Sequence, residues 1–289
     1  MRLAAPAKLN LCLFLGPRRA DGLHELVSLF EPLALSDAIE ATELPAGSPD
    51  EVLCPAVAGE NLAARALAAL RERGWDGPPL RLAIEKRIPV AAGLGGGSAD
   101  AAAVLRLASG EFVPNSDTNS PVPDLWEIAA RLGADVPSQL RPAFALVRGA
   151  GEQVEPLPAP PSHAVLLLPG GGGLSTAAVF AEADRLGLGR DGRELEELAA
   201  RLREAAGAGG SPLAYGELLG NDLEPAARSL RPAIGAALDA LRAGGAPLVL
   251  LSGSGPTAVG VFDDLASARS AASALERDDA IVCEAGRAP

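Results

Sequence analysis

The first hydrophobic pattern in the chain alternates. From Ala5 to Leu15 apolar and polar positions exchange in a way that predicts a strand, with Lys8, Asn10 and Cys12 on one face and an end at Gly16 and Pro17. The turn dipeptide Asp21-Gly22 and an apolar-rich run through Leu35 predict a hairpin return, placing His24 just past the turn. Between Glu60 and Arg73 the spacing changes to the Ala- and Leu-rich pattern of a helix, with Asn61 as its cap and Gly74 as its stop. LRLAIEKRIPV reads as a strand, and a glycine cluster then gives way to an Ala-rich helix ending near Ser109. The polar, proline-interrupted segment from 110 to 124 is expected to be an exposed loop before a short helix over Leu125 to Leu132.

The second half opens on a buried-looking strand, AVLLLP, followed by the glycines 170–173 and a helix from Ser175 to Leu186. The stretch Arg190 to Arg203 has opposite charges at i,i+4 and predicts a helix with a solvated face. A break over Gly207 to Pro212 precedes a helix capped by Asn221 or Asp222. PLVLLSGSGPTAVGVF then predicts two strands around a glycine turn, and a helix follows from Asp264 to Ala274. The proline-rich stretch from Glu155 to His163 marks the expected join, dividing the chain into 1–157 and 158–289, with His163 itself solvent-exposed.

Composition narrows what such a chain does. Its 289 residues are 48% hydrophobic and 21% charged, with no apolar run near the roughly 20 residues a membrane span needs. The N-terminus meets Lys8 and Asn10 too soon for a signal peptide, so a cytoplasmic location is expected. A net charge of −12 with mixed signs disfavours nucleic acid and anionic lipid as partners, and an anionic small molecule needs a local positive site. Cys12, Cys54 and Cys283 are odd in number and widely spaced, which disfavours a disulfide framework or a zinc site. Lys8 and Lys86 are the two lysines among 25 lysine and arginine residues. Where arginine serves as the generic surface cation, each lysine is a candidate for a specific task.

Gly93, Leu94, Gly95, Gly96, Gly97 and Ser98 have the physics of an anion site, because unhindered backbone approaches a phosphate and the following helix aims its N–H groups there. A tight turn is the competing reading. A dinucleotide fingerprint needs glycine where Ser98 stands, and a Walker loop needs Gly-Lys-Ser/Thr, so a phosphate-stabilising lysine has to come from elsewhere. Ser98 is a candidate for Mg²⁺ or phosphate, or for capping its helix. Lys8, costly in an apolar strand unless paired, is the candidate cation. Asp135, held at a corner between Gly133 and Pro137, is its candidate partner, or an ordinary turn residue. His24 is either solvated or functional.

PAKLNLCL, RRADGLHELVSLF, IEKRIPVAAGLGGGSADAAAVL, LGADVPSQ, GGGLSTAAVF, NDLEPAA and LLSGSGPTAVGVF together resemble the GHMP small-molecule kinases, in order and over nearly the whole chain. The PAK-N and ADG-HE stretches narrow the resemblance to a member whose small-molecule acceptor carries a cytidine diphosphate group. The resemblance implies a two-domain fold of the α/β (α+β) class, with an N-terminal ATP-loop domain, a C-terminal ferredoxin-like domain and an active site between them. It implies ATP and Mg²⁺ as cofactors, with Asp135 taking the proton of the acceptor hydroxyl and Lys8 holding that acid ionised and stabilising the attacking oxygen. Pro89, Val90, Ala91, Ala92, Gly93, Leu94, Gly95, Gly96, Gly97, Ser98 and Ala99 would hold the nucleotide, with Asn61, Leu62 and Lys86 by the adenine and Ser98 toward the metal. Asn10, His24, Phe30 and Phe180 would line the acceptor pocket. Two places depart from the family pattern: Leu23 stands where an aromatic stacks on the cytosine, and Ser138 and Gln139 stand where aromatics are frequent. The rivals are a GHMP kinase acting on a sugar, homoserine or a mevalonate-like alcohol, and a non-catalytic nucleotide-binding relative.

Overall fold

A computed structural model describes residues 1–109 and 124–286. The expected loop over 110 to 124 lies outside the described residues except for Asp124. That residue caps the next helix by accepting from the backbone N–H groups of Trp126 and Glu127.

The first half is built on a long antiparallel hairpin, β1 (Arg2–Arg18) and β2 (His24–Glu43). Both strands outrun the expectation. Gly16 and Pro17 do not end β1, because its pairing with β2 continues to Arg18 opposite His24. A register shift between Asn10 and Cys12 adds one residue to β1 and reverses which face the later side chains take. Lys8 and Asn10 therefore face the cavity described below, whereas Cys12 turns into the core with Leu9 and Leu11. Its thiol is fully buried, and that burial pushes its pKa up to about 12. This corrects the expectation that Cys12 shares the face of Lys8.

The sheet continues through β3 (Glu51–Leu53), β4 (Leu80–Glu85), β5 (Ala145–Gly149) and β6 (Gln153–Pro156), with β4 and β5 both pairing with β2. One face is covered by α1 (Leu62–Glu72), α2 (Gly96–Arg106), α3 (Leu125–Leu132) and the short α4 (Val136–Leu140). Small side chains such as Ala63, Ala66, Ala102 and Ala103 let these helices close on one another in a shared core. Asn61 caps α1 as expected, accepting from the backbone of Ala63 at 2.8 Å.

The second half follows a β-α-β-β-α-β course. Its strands β7 (His163–Leu168), β8 (Leu248–Leu251), β9 (Ala258–Phe262) and β10 (Ile281–Ala285) lie in the order β10-β7-β9-β8, all antiparallel. Helices α5 (Thr176–Leu186), α6 (Gly192–Gly207), α7 (Glu224–Leu230) and α8 (Ala233–Ala243) come between β7 and β8, and α9 (Leu265–Ala274) comes between β9 and β10. Asn221 and Asp222 do not cap α7, which starts at Glu224 with Leu223 in the cap position. Asn221 instead donates to the carbonyls of Leu251 and Gly253, and Asp222 binds Arg190 and the backbone of Leu15. Among the described residues no helix is long and apolar enough to cross a membrane.

The expected join near residue 157 falls between β6 and β7. His163, at the start of β7, is not exposed: it retains 3% of its accessible surface, and its Nε2 lies 3.3 Å from Glu31 Oε2 of β2. The proline-rich run ends before it, and the pairing of β7 with β10 turns its ring inward toward a strand 132 residues earlier in the chain. Burial opposes the imidazolium, but the contact and charge of Glu31 outweigh it and raise the pKa of His163. A raised folded pKa contributes stability that is complete below the unfolded value of about 6.5 and disappears as pH rises through the folded one. Thermal melts are thus expected to show a loss of stability above about pH 6.5, and Glu31→Gln, which keeps the contact but not the charge, should remove that component. An identical slope in the variant would assign it elsewhere.

Candidate functional site

A cavity of roughly 910 Å³ opens between the two halves, walled by β1, β2 and the glycine loop on one side and by α5 with Gly253 and Ser254 on the other. Of the residues singled out in the sequence, Lys8, Asn10, His24, Phe30, Asn61, Leu62, Lys86, Asp135, Phe180 and the run from Pro89 to Ser98 all line it. Ala99 does not. Its side chain is buried in the core of the first half, and its N–H already donates to the carbonyl of Gly95 at 2.8 Å.

Lys8 Nζ sits 3.2 Å from Asp135 Oδ2, donates to Asn10 Oδ1 at 2.5 Å and lies 4.4 Å from the centroid of the Phe30 ring. Its side chain is 6% exposed, so the burial that makes a lysine costly is offset by a carboxylate, an amide oxygen and an aromatic face. Asn10 is held in turn, donating through Nδ2 to Ser28 Oγ at 2.9 Å. Asp135 occupies the position before α4 but its carboxylate makes no capping bond, which leaves it turned to Lys8. The proline at the start of α4 is compatible with a helix there, because the first turn needs no N–H from it.

The glycine loop meets this pair directly. Gly95 has φ +69°, and a Cβ there would come within 2.8 Å of Lys8 Cγ, so both backbone conformation and space require glycine. Gly95 rather than Ser98 is the N-cap of α2. Ser98 belongs to the first helical turn and faces the cavity, so it is not a cap. The first intrahelical bond is made by Ala99, which leaves the N–H groups of Gly96, Gly97 and Ser98 at the positive end of the helix. The second half braces the same loop: Ser252 Oγ donates to the carbonyl of Gly93 at 3.0 Å and Thr257 Oγ1 to that of Ala92 at 2.6 Å. Gly93 must be small here too, since a Cβ would lie 2.7 Å from the carbonyl oxygen of Ser252. Of the two other glycine stretches, Ser252 to Gly255 thus contributes to the site. The carbonyls of Gly171, Gly172 and Gly173 are instead held by Arg231.

Lys86 borders the cavity, but its ammonium is bonded to two buried carboxylates, Asp37 and Asp100, the latter at 2.7 Å. Burial opposes its charge, yet the two acids outweigh burial and raise its pKa. Burial pushes the pKa of Asp100 up to about 7, against the pull of Lys86. Asp37 also accepts from the backbone N–H groups of Arg87 and Ile88 at 2.6 and 2.9 Å, so the cluster ties β2, the end of β4 and α2 together beneath the loop. Sequence reasoning missed Asp37 and Asp100; a lysine among arginines pointed to the cluster but not to its partners.

At the far end of the cavity, His24 Nδ1 lies 3.1 Å from the carbonyl oxygen of Gly16, which can only accept, so this nitrogen carries a proton. Its Nε2 is 3.1 Å from Asp184 Oδ1 on α5, and its ring is tilted 39° to Phe180 with centroids 5.8 Å apart. Leu23 is exposed at the rim. The arrangement is a buried ammonium paired with a half-exposed carboxylate, facing a helix N-terminus in one cavity.

Comparison with known proteins agrees with this geometry. The family described as GHMP kinases N terminal domain matches residues 61–143, and that described as GHMP kinases C terminal matches residues 190–280. The 4-diphosphocytidyl-2-C-methyl-D-erythritol kinase of Thermobifida fusca (strain YX) is similar at 39% identity over 282 residues, covering 93% of this chain and 89% of its own. That of Anaeromyxobacter dehalogenans (strain 2CP-C) is 40% identical over 285 residues, covering 96% and 86%. A crystal structure of 4-(cytidine 5'-diphospho)-2C-methyl-D-erythritol kinase superposes with a TM-score of 0.78 at 36% identity, over 99% of this chain and 100% of that one.

Proposed function

The chain belongs to the GHMP kinase family, and from that premise we propose that it transfers the γ-phosphoryl group of ATP to the 2-hydroxyl of 4-diphosphocytidyl-2-C-methyl-D-erythritol. The products are the 2-phosphate and ADP, within the non-mevalonate route to isoprenoid precursors. The observation that carries this reading is the Lys8–Asp135 pair at 3.2 Å, set against the open N–H groups of α2 in one cavity.

Phosphoryl transfer asks a protein mainly for positioning and for charge stabilisation. In this reading the Asp135 carboxylate accepts the proton of the acceptor hydroxyl as its oxygen attacks the γ-phosphorus. Lys8, fixed by Asn10 and Phe30, stabilises the charge on that oxygen. The N–H groups of Gly96, Gly97 and Ser98 hold the triphosphate, and Asn61 and Leu62 lie along the base. Lys86 acts from behind the loop through Asp37 and Asp100. Among the described residues no group of three or more histidine, cysteine, aspartate or glutamate side chains could cage a metal. Mg²⁺ bound by phosphates and water needs no such cage, and the Ser98 hydroxyl, which faces the cavity, would be a protein ligand for it. When bound it would neutralise phosphate charge. In this reading residues 1–157 hold the nucleotide, and residues 158–289 complete the acceptor wall with Phe180.

The test is ATP consumption with the cytidine diphosphate acceptor beside a panel of alcohols including homoserine. Turnover specific to the cytidine acceptor is expected. Turnover with another alcohol alone would keep the kinase and discard this substrate, and ATP binding without turnover of any alcohol would point to a non-catalytic relative.

A further inference from the structure

Four basic side chains stand on the cavity wall among the described residues: Lys8, Arg18, His24 and Lys86. Three of them already face a carboxylate. Lys8 has Asp135, His24 has Asp184, and Lys86 has Asp37 and Asp100. Arg18 has none within ion-pairing distance among the described residues; its one hydrogen bond runs from Nε to the carbonyl oxygen of Gly22, at 3.1 Å. The adjacent Arg19 behaves differently. It is bound to Glu152 at 2.7 Å and Asp21 at 2.9 Å, and it is not part of the wall.

The same wall carries the acids Glu60, Asp100, Asp135 and Asp184, in a chain whose net charge is −12. Under the function proposed above, two anionic ligands must enter it together. The triphosphate has the N-terminus of α2, but a helix terminus acts only within about a turn, so a second anion elsewhere in the slot needs its own donor. Arg18 stands in the hairpin that bears His24, its register partner across β1 and β2, at the end of the slot remote from the glycine loop. The Nε bond to Gly22 anchors one edge of the guanidinium and leaves its terminal nitrogens for a ligand. A planar fork on a short tether matches a diphosphate, which offers oxygens on two neighbouring centres.

We infer that Arg18 is a specificity-determining residue that holds the diphosphate of the acceptor. This rests on the proposed substrate and adds a residue to its recognition. It gives the acceptor end of the site a charge-based hold where Leu23 offers no aromatic face.

The experiment measures the acceptor KM, and the inhibition constants of CDP and cytidine in competition with the acceptor, for the wild type, Arg18→Ala and Arg18→Lys. Arg18→Ala is expected to raise the acceptor KM about tenfold, with a far smaller change in kcat, as loss of a hydrogen-bonded charge contact does. The margin by which CDP out-competes cytidine should shrink by a similar factor, while cytidine itself binds as before. Arg18→Lys should keep part of that margin, since it retains the charge without the fork. An unchanged ATP KM reports that the variants are folded. A margin unaltered in Arg18→Ala, or equal losses for CDP and cytidine, would overturn the assignment. Failure of the wild type to phosphorylate the cytidine diphosphate acceptor would overturn the proposed function with it, which is a distinguishable result.

Discussion

Replacing Asp135 with asparagine is expected to lower kcat by about 10²- to 10⁴-fold, the range that a positioned general base contributes, while the KM for ATP changes little. Asparagine has nearly the shape of aspartate and makes no demand on α4, because the Asp135 side chain does not cap that helix. What it loses is the ability to accept a proton and the charge facing Lys8 at 3.2 Å. The glycine loop is held by Ser252, Thr257 and the Asp37–Lys86–Asp100 cluster, none of which touches Asp135, so nucleotide affinity should survive. Initial-rate kinetics with varied ATP and varied acceptor separate these effects. Near-normal turnover in the variant would remove Asp135 from the role of base.

Lys8→Arg is expected to be about as damaging, with a loss on the order of 10²-fold or more in kcat, although charge is conserved. The ammonium occupies a closed place among Asn10 Oδ1, Asp135 Oδ2 and the Phe30 ring, with Gly95 pressed against its stem. A guanidinium is wider, spreads its charge and needs a planar set of acceptors that this place does not supply. The longer side chain would either displace the loop at Gly95 or push its fork toward Asp135. Lys8→Met serves as the companion: it approximates the stem without the charge, and a loss similar to that of Lys8→Arg would show that placement of the charge matters as much as its presence. Melting temperatures of both variants close to wild type would assign the loss to chemistry. Near-normal kcat in Lys8→Arg would show instead that any cation serves.

Several elements were legible because their causes are local. Asn61 caps α1 because an amide oxygen just ahead of an Ala- and Leu-rich run satisfies a free N–H two residues on wherever such a run occurs. The strand, glycine loop and helix around residue 95 follow from glycine's access to positive φ and from the alanines after it. Strands β8 and β9 around their glycine turn, and α3, fall where the pattern placed them. The short strands β3, β5 and β6 and the last strand β10 were not legible. Each is three to five residues long; β3, β5 and β10 gain their order from a neighbour far away in sequence, as β10 does from β7, and β6 gains its own from β5, which only β2 holds in place.

Sequence by itself determined the composition of the site: one lysine in an apolar strand, one aspartate at a proline corner, and a glycine loop opening a helix. Tertiary structure decided which of these meet and what each neighbour is for. A one-residue shift after Asn10 sends Cys12 into the core while Lys8 faces Asp135, because strand side chains alternate and any extra residue reverses the order. His163 is buried because β7 turns its ring against Glu31, a partner that nothing in the proline-rich run predicts. Lys86 is drawn behind the loop by Asp37 and Asp100, which sit on different elements, and Arg18 keeps its fork free because no described carboxylate comes within ion-pairing distance of it. Local preference sets which conformations are available to a segment, whereas charge pairing and burial depend on distances that exist only after the two halves have closed on each other.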